Sequence, residues 1–178
     1  IRPHQWLKNA LIFLPLILSH QLNHPNLLLQ ACVAFFSFSF IASSVYLLND
    51  MLDINSDRQH QSKFRRPFAS GDLSLIYGYL GAPSLLILGF LIASWLPTEF
   101  VFVLLTYWLM TTAYSLLLKS LFLVDVLTLA SLYTWRIIAG SAAISVVTTY
   151  YLLTFSFFLF LGLAMVKRYT EFLNLQNQ

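Results

Sequence analysis

NDMLDINSDRQHQSKFRRPFASG, residues 49–71, is the most densely charged stretch of this chain. It holds three of the seven acidic residues and four of the ten lysines and arginines. Long segments with few charged residues lie on both sides of it. The stretch therefore marks a point where an apolar chain meets a polar environment.

Three aspartates in this stretch share one face if the preceding apolar segment continues as a helix. At about 100° per residue, the polar side chains fall within an arc of roughly 100°: Asn49, Asp50, Asp53, Asp57 and His60. Carboxylates one turn apart repel each other, so such a face favours a bound cation. Oxygen ligands at a partly hydrated site suit Mg²⁺ that also contacts phosphate oxygens.

Basic residues follow the aspartates at once, and they supply the charge that binds a polyanion. They are Arg58, Lys63, Arg65 and Arg66. Together, the acids and bases predict a site for a metal ion and a diphosphate. The alternative is a solvated helix end with local ion pairs, a common arrangement in membrane proteins. The aspartates share one face of the predicted helix, which favours the metal site over a solvated helix end.

The composition predicts an integral membrane protein. The chain is 58% hydrophobic and 10% charged, against roughly 25% charged residues in an average soluble domain, and its mean hydropathy is +0.74. The net charge of +3 comes from basic residues at the ends of apolar segments, so no basic stripe for nucleic acid is expected. A single cysteine, Cys32, excludes a disulfide framework within a monomer.

Apolar segments predict an all-α fold, a polytopic transmembrane helical bundle. Six spans are expected, at residues 6–19, 27–48, 74–96, 100–118, 121–144 and 148–166. The first is short against the 20 or so residues that cross a bilayer, and Pro83 should kink the third. We expect residues 1–178 to form one transmembrane domain, cut from a longer chain and incomplete at the C-terminus, since Ile1 is not an initiator.

The distribution of basic residues predicts the orientation. The turns at residues 20–26, 94–99 and 145–147 have no lysine or arginine, whereas the alternate connections are basic. This is the positive-inside pattern, so both termini and the acidic stretch should face the cytoplasm, across a bacterial plasma membrane.

One basic residue, Arg136, lies deep within a predicted span. An ionisable group at that depth is costly, so it should face the bundle interior or a water-filled cavity. Asp125 and Thr128 lie on roughly the same face of this helix. A structural ion-pair anchor between helices is the alternative to a functional role.

The residues of the acidic stretch also resemble a family. N-D-x-x-D-x-x-x-D from Asn49 to Asp57, followed by R-P-x-A-x-G from Arg66 to Gly71, resembles the first acidic motif of UbiA-type intramembrane prenyltransferases. R-P-x-Q-W-x-K-N at residues 2–9, and Tyr114-Ser115 to Lys119 with Asp125, are similar to the decaprenyl-phosphate phosphoribosyltransferase branch. The resemblance covers essentially the whole chain and implies a nine-span fold, of which six spans are present here.

This resemblance implies a Mg²⁺-dependent transferase that joins phosphoribosyl diphosphate, as the donor, to a polyprenyl phosphate. The implied metal ligands are Asp50, Asp53 and Asp57, which with Asp125 form the catalytic set. The residues expected to bind substrate are Lys8, Asn49, Lys63, Arg66, Lys119 and Arg136. The oligomeric state stays open.

The chain departs from the family at the second acidic motif, usually D-x-x-x-D. Here Asp125 has leucines four residues before and after it, Leu121 and Leu129. Since a prenyl diphosphate donor is gripped by two acidic clusters in this family, a sugar-phosphate donor is favoured. The alternatives are a prenyltransferase that moves an isoprenoid to an aromatic or other acceptor, and a non-enzymatic transporter or scaffold. Aromatic residues, including those at 150–160, could line an isoprenoid corridor or simply pack.

Overall fold

The computed structural model describes residues 3–59, 63–116 and 122–176, and across these ranges it is helical with no strand. This confirms the predicted all-α class. The elements are α1 (Pro3–Trp6), a first 3₁₀ helix (Leu7–Phe13), α2 (Leu14–Leu18), α3 (Pro25–Leu52), α4 (Ile54–Gln59), a second 3₁₀ helix (Lys63–Arg65), α5 (Pro67–Ser70), α6 (Leu75–Ala93), α7 (Thr98–Leu116), α8 (Phe122–Ala143) and α9 (Tyr150–Gln176).

Within the described ranges, five helices are long and apolar enough to cross a membrane, namely α3, α6, α7, α8 and α9. The protein is therefore an integral membrane protein. Helix α3 has 28 residues, about 42 Å at 1.5 Å per residue, and so exceeds the ~30 Å hydrocarbon core. Because of this excess, its polar C-terminal end can lie in the membrane interface.

The predicted first span differs from an ordinary transmembrane helix. Residues 3–18 form two short α-helices joined by seven residues of 3₁₀ helix. A 3₁₀ helix rises about 2 Å per residue instead of 1.5 Å, so the segment reaches about 27 Å despite its few residues. The segment is therefore longer than an α-helix with the same number of residues.

This N-terminal segment is packed into the bundle. Ile12 and Leu16 are fully buried. Trp6 donates a hydrogen bond from Nε1 to Ser43 Oγ at 3.0 Å, and Asn9 donates from Nδ2 to Ser39 Oγ at 2.9 Å. Both acceptors lie on α3, so the segment is fixed to that helix by polar side chains in an apolar setting.

Helices α3 and α8 form the centre of the bundle, with 56% and 50% of their spans buried, against 11% for α9. Helix α6 packs closely along α3, since Ser37 Oγ donates to the Gly89 carbonyl at 2.9 Å. Helix α6 runs without interruption through Pro83, so the kink stays a prediction.

The connections predicted to face the cytoplasm meet at one end of the bundle. Tyr114, near the end of α7, and Arg168, in the C-terminal half of α9, both contact Asp125 in the first turn of α8. Asn49, near the end of α3, lines the same cavity as Tyr114. The polar ends of four helices therefore surround one region.

Candidate active site

The acidic stretch continues the helical path of α3. Helix α3 ends at Leu52, and α4 begins at Ile54. The Asp53 N–H donates to the Asn49 carbonyl at 2.9 Å, and the Asp57 N–H donates to the Asp53 carbonyl at 2.8 Å. The predicted helical phase of the aspartates is thus kept across a break of one residue.

Two of the aspartates converge on one arginine. Arg66 Nη1 lies 2.7 Å from Asp57 Oδ2 and 3.3 Å from Asp50 Oδ1. Both carboxylates are buried, at 8% exposure for Asp50 and 3% for Asp57. A single guanidinium therefore relieves the repulsion between two buried carboxylates.

Arg66 is held there by the local backbone. It precedes Pro67, which disfavours the α conformation for the residue before it, and its φ and ψ of −66° and 140° are extended. Pro67 then opens α5 at a position where no backbone N–H is needed. The R-P pair thus ends the connection and aims Arg66 back toward α3 and α4.

The donor set fits Mg²⁺ shared with a bound phosphate. Among the residues described, no group of three or more acidic, histidine or cysteine side chains is close enough to hold a metal by itself. Asp53 is half-buried at the break and has contacts of its own. Mg²⁺ commonly takes one or two carboxylates plus phosphate oxygens and water. Asp50 and Asp57, which both contact Arg66 Nη1, would fit as that pair.

A cavity of about 240 Å³ lies between the first 3₁₀ helix, α3, α7 and α8. Asn49, which directly precedes Asp50 in α3, is one of its lining residues. The other lining residues are Lys8, Ala42, Val45, Tyr46, Tyr107, Thr111, Tyr114, Ser115, Leu129, Leu132, Tyr133 and Arg136. Among these described lining residues there are two cations and no carboxylate.

Arg136 is buried in the wall of this cavity, at 4% exposure, as its depth in the sequence predicted. It donates from Nε to Asn9 Oδ1 at 2.9 Å, from Nη1 to the Leu132 carbonyl at 2.6 Å and from Nη2 to the Tyr107 hydroxyl at 3.2 Å. These partners are all neutral.

Aromatic rings also surround the Arg136 guanidinium. Its Cζ lies 5.6 Å from the ring centre of Phe38, 5.4 Å from that of Tyr107 and 5.2 Å from that of Tyr133. Lys8 Nζ lies 6.0 Å from the Tyr133 ring centre. Cation–π contacts stabilise a charge without cancelling it. The cavity therefore keeps a positive potential and suits an anion.

Asp125, the fourth residue of the predicted catalytic set, is buried. Its partners are the Tyr114 hydroxyl and the Arg168 guanidinium. Tyr114, not Asp125, is the member of this set that lines the cavity.

Some predicted site residues cannot be placed. Lys119 and His60 lie outside the described ranges. Lys63 begins the second 3₁₀ helix, where its backbone is described. The predicted contacts of Lys63 and Lys119 with substrate therefore stay predictions.

Sequence reasoning missed Arg168 and the tyrosines of the cavity, Tyr46, Tyr107 and Tyr133. A basic residue at the end of an apolar segment was interpreted as a topology signal, and tyrosines within apolar runs resemble packing residues. Of the aromatic run at 150–160, Phe160 stacks on Tyr133 with ring centres 5.1 Å apart. Tyr150 and Tyr151 are almost fully exposed, which suits lipid contact.

Comparison with known proteins is consistent with this arrangement. The UbiA prenyltransferase family matches residues 10–173. The chain is 36% identical to nodulation protein NoeC of Azorhizobium caulinodans, over 99% of this chain and 57% of that protein. It is 31% identical to the decaprenyl-phosphate phosphoribosyltransferase of Mycolicibacterium smegmatis, over 96% of this chain and 55% of that protein. The chain thus spans little more than half the length of these relatives.

A solved structure has the same fold. It is a UbiA homologue from Archaeoglobus fulgidus bound to DMAPP and Mg²⁺, with a TM-score of 0.78 and 21% sequence identity. The match covers 90% of this chain and 58% of that one.

Proposed function

Because the chain belongs to the UbiA prenyltransferase family, we propose that it binds a diphosphate-bearing donor and helps to transfer the donor's organic group to a polyprenyl phosphate in the membrane. Phosphoribosyl diphosphate is the proposed donor. The relative from Mycolicibacterium smegmatis, which is named for this chemistry, supports the choice.

The observation that carries the proposal is the charge of the cavity. Lys8 and Arg136 line it, and the described lining has no carboxylate. A donor with a diphosphate and a further sugar phosphate is more anionic than a prenyl diphosphate, so it gains more from two fixed cations. Of the aspartates that would hold a metal, Asp50 directly follows Asn49, which lines the cavity.

Asp50 and Asp57 would hold Mg²⁺, with Asp53 as the proposed third ligand. When bound, the ion would neutralise charge on the departing diphosphate. Arg66, which bridges Asp50 and Asp57, would then be released from the carboxylates and could donate to diphosphate oxygens. Lys63 and Lys119 are proposed to bind phosphate oxygens on the strength of their sequence positions.

In the proposed reaction, an oxygen of the polyprenyl phosphate forms a bond with the anomeric carbon of the donor. The bond between that carbon and the diphosphate oxygen breaks, and the diphosphate leaves with the electron pair. The cavity's part is to orient the donor so that the anomeric carbon faces the lipid phosphate.

A labelled-donor assay of the full-length protein in lipid vesicles tests the proposal. With Mg²⁺, labelled phosphoribosyl diphosphate and a polyprenyl phosphate should give a labelled lipid. Asp57→Asn should lower kcat at least about 100-fold, since it removes one of two buried charges that hold the metal. Asp72→Asn is the matched control, because Asp72 is exposed and bonds to Ser70 Oγ at 2.7 Å.

Two results would contradict the proposal in different ways. Label that moves from a prenyl diphosphate to an aromatic acid, with phosphoribosyl diphosphate inert, would favour the prenyltransferase alternative. Equal activity of Asp57→Asn and the wild type would show that Asp57 does not hold the metal ion, and the proposed metal site would be wrong.

A further inference from the structure

A buried carboxylate joins three helices beside the cavity. Asp125, in the first turn of α8, is 1% exposed. Tyr114, near the end of α7, donates its hydroxyl proton to Asp125 Oδ1. Arg168, on α9, donates to Oδ2 through Nε and Nη2. Each oxygen of this carboxylate therefore has a partner on a different helix.

The charges of this cluster suggest what Asp125 can do. The guanidinium of Arg168 neutralises the carboxylate through two contacts with Oδ2, and Tyr114 holds the other oxygen, so the carboxylate is fixed from both sides. A metal ion that bound Asp125 would compete with Arg168 and Tyr114 for its lone pairs, of which three of about four already accept a donor. Asp125 is thus suited to orient a neighbour, and Tyr114 is the neighbour that lines the cavity.

The Tyr114 hydroxyl is constrained by this contact. A phenol has one proton to donate, and here the proton goes to Asp125, so the oxygen can only accept a further hydrogen bond. Without Asp125, the hydroxyl could rotate and the ring could change rotamer. Asp125 therefore fixes the position of the Tyr114 hydroxyl in the cavity wall and makes its oxygen a hydrogen-bond acceptor.

We propose that Arg168 is a positioning residue, which acts through Asp125 to hold Tyr114 in the wall of the donor cavity. The inference rests on the proposed function, because it takes this cavity to be the donor site. It also gives Asp125 a role without direct contact with the donor or the metal.

A double-mutant cycle on the full-length protein tests the proposal. Arg168→Gln and Tyr114→Phe should each lower kcat/KM for the donor about five- to tenfold, the equivalent of one lost hydrogen bond. The double variant should lose no more than the worse single variant, because Arg168 acts through the hydroxyl that Tyr114→Phe removes. Arg168→Lys, which keeps the charge but not the fork of donors, should recover part of the loss.

The controls separate positioning from folding. Tyr169→Phe deletes an exposed hydroxyl next to Arg168 and should leave kcat/KM unchanged. The thermal unfolding midpoint of each variant shows whether the packing of α9 against the bundle has been destabilised. Losses in kcat/KM that multiply in the double variant would mean that Arg168 acts independently of Tyr114, and they would overturn the proposal.

The cycle also distinguishes this inference from the proposed function. If the full-length protein used only a prenyl diphosphate, the choice of donor would be wrong. The same cycle would then be measured with that donor. A non-additive result would still support the role of Arg168, and a multiplicative one would overturn it.

Discussion

At the scale of single residues, Arg136 determines the chemistry of the cavity. Its guanidinium has five N–H donors, and Asn9, Leu132 and Tyr107 accept one each. The remaining donors are available to a ligand, and no described acidic residue lines the cavity to pair with them. A cation so deeply placed is costly to bury, which is a physical reason to assign it a ligand.

Arg136→Lys tests how much the stability of the protein and the binding of the donor depend on the guanidinium group. Lysine keeps the charge, but it cannot reach three acceptors in three directions, so Asn9 Oδ1 or the Tyr107 hydroxyl would lose its partner. We expect the free energy of unfolding to fall by about 2 kcal/mol, with weaker donor binding. Chemical denaturation in detergent and donor titration measure the two effects.

The matched control for that change is Arg65→Lys. Arg65 is exposed and lies 5.5 Å from the Phe64 ring centre. Stability and affinity should hardly change there. Equal losses at both positions would mean that Arg136 has no special role.

The role of a charged residue could be predicted from the sequence when its position along the chain was sufficient evidence. Arg136 could be assigned to the interior because nothing else explains a charge at that depth. Arg168 could not, because its role depends on α9 bringing it to Asp125, a contact 43 residues apart in the chain. The pairing of Arg66 with Asp50 and Asp57 likewise depends on the path of the connection.

At the scale of helices, apolar length predicted the later spans well. The predicted span at 100–118 is close to the observed α7, and that at 121–144 is close to α8. The N-terminal segment was harder, because a 3₁₀ helix and an α-helix have similar apolar patterns in seven residues. Its geometry is set by packing against α8.

Gly140 shows this packing directly. A Cβ built on Gly140 would lie 2.1 Å from the Ile12 carbonyl oxygen. That oxygen belongs to the backbone of the first 3₁₀ helix and cannot rotate away. The absence of a side chain at this position therefore permits the close approach of the N-terminal segment to α8.

Gly140→Ala should accordingly separate the two elements. We expect a loss of about 2 to 3 kcal/mol in the free energy of unfolding, typical of overpacking in a core, and a lower thermal midpoint in detergent. Because Lys8 and Asn9 lie on the displaced segment, donor binding should weaken as well.

Gly162→Ala is the control for Gly140→Ala. A Cβ at Gly162 would meet no atom within 4 Å among the described residues, and alanine is the better helix former. It should be neutral or slightly stabilising. A Gly140→Ala variant as stable as Gly162→Ala would show that the N-terminal segment is not packed as the structure has it.

At the scale of the whole molecule, the polar groups are gathered at one end of an apolar bundle. Asp50, Asp57 and Arg66 lie by the end of α3, and Asp125 with Arg168 lies by the ends of α8 and α9. Under the proposed function, a charged donor would enter from water while a polyprenyl chain stays in lipid. Composition predicted the membrane, whereas only the folded chain shows that Asn49, which precedes Asp50, and Tyr114, the partner of Asp125, line one cavity.

The polar end of the bundle is predicted to face the cytoplasm. Basic residues follow α3, and Lys167 and Arg168 lie in the C-terminal half of α9, whereas the turns at 20–26 and 145–147 have none. The polar end should therefore be cytoplasmic. In a Cys32→Ser background, cysteines placed at exposed Gln59 and Asn23 can be labelled in intact cells with a reagent that does not cross membranes. Asn23→Cys should react at once, and Gln59→Cys should react only after the cells are opened. Labelling of Gln59→Cys from outside would place the candidate active site on the far side of the membrane, away from cytoplasmic phosphoribosyl donors, and would contradict both the orientation and the choice of donor.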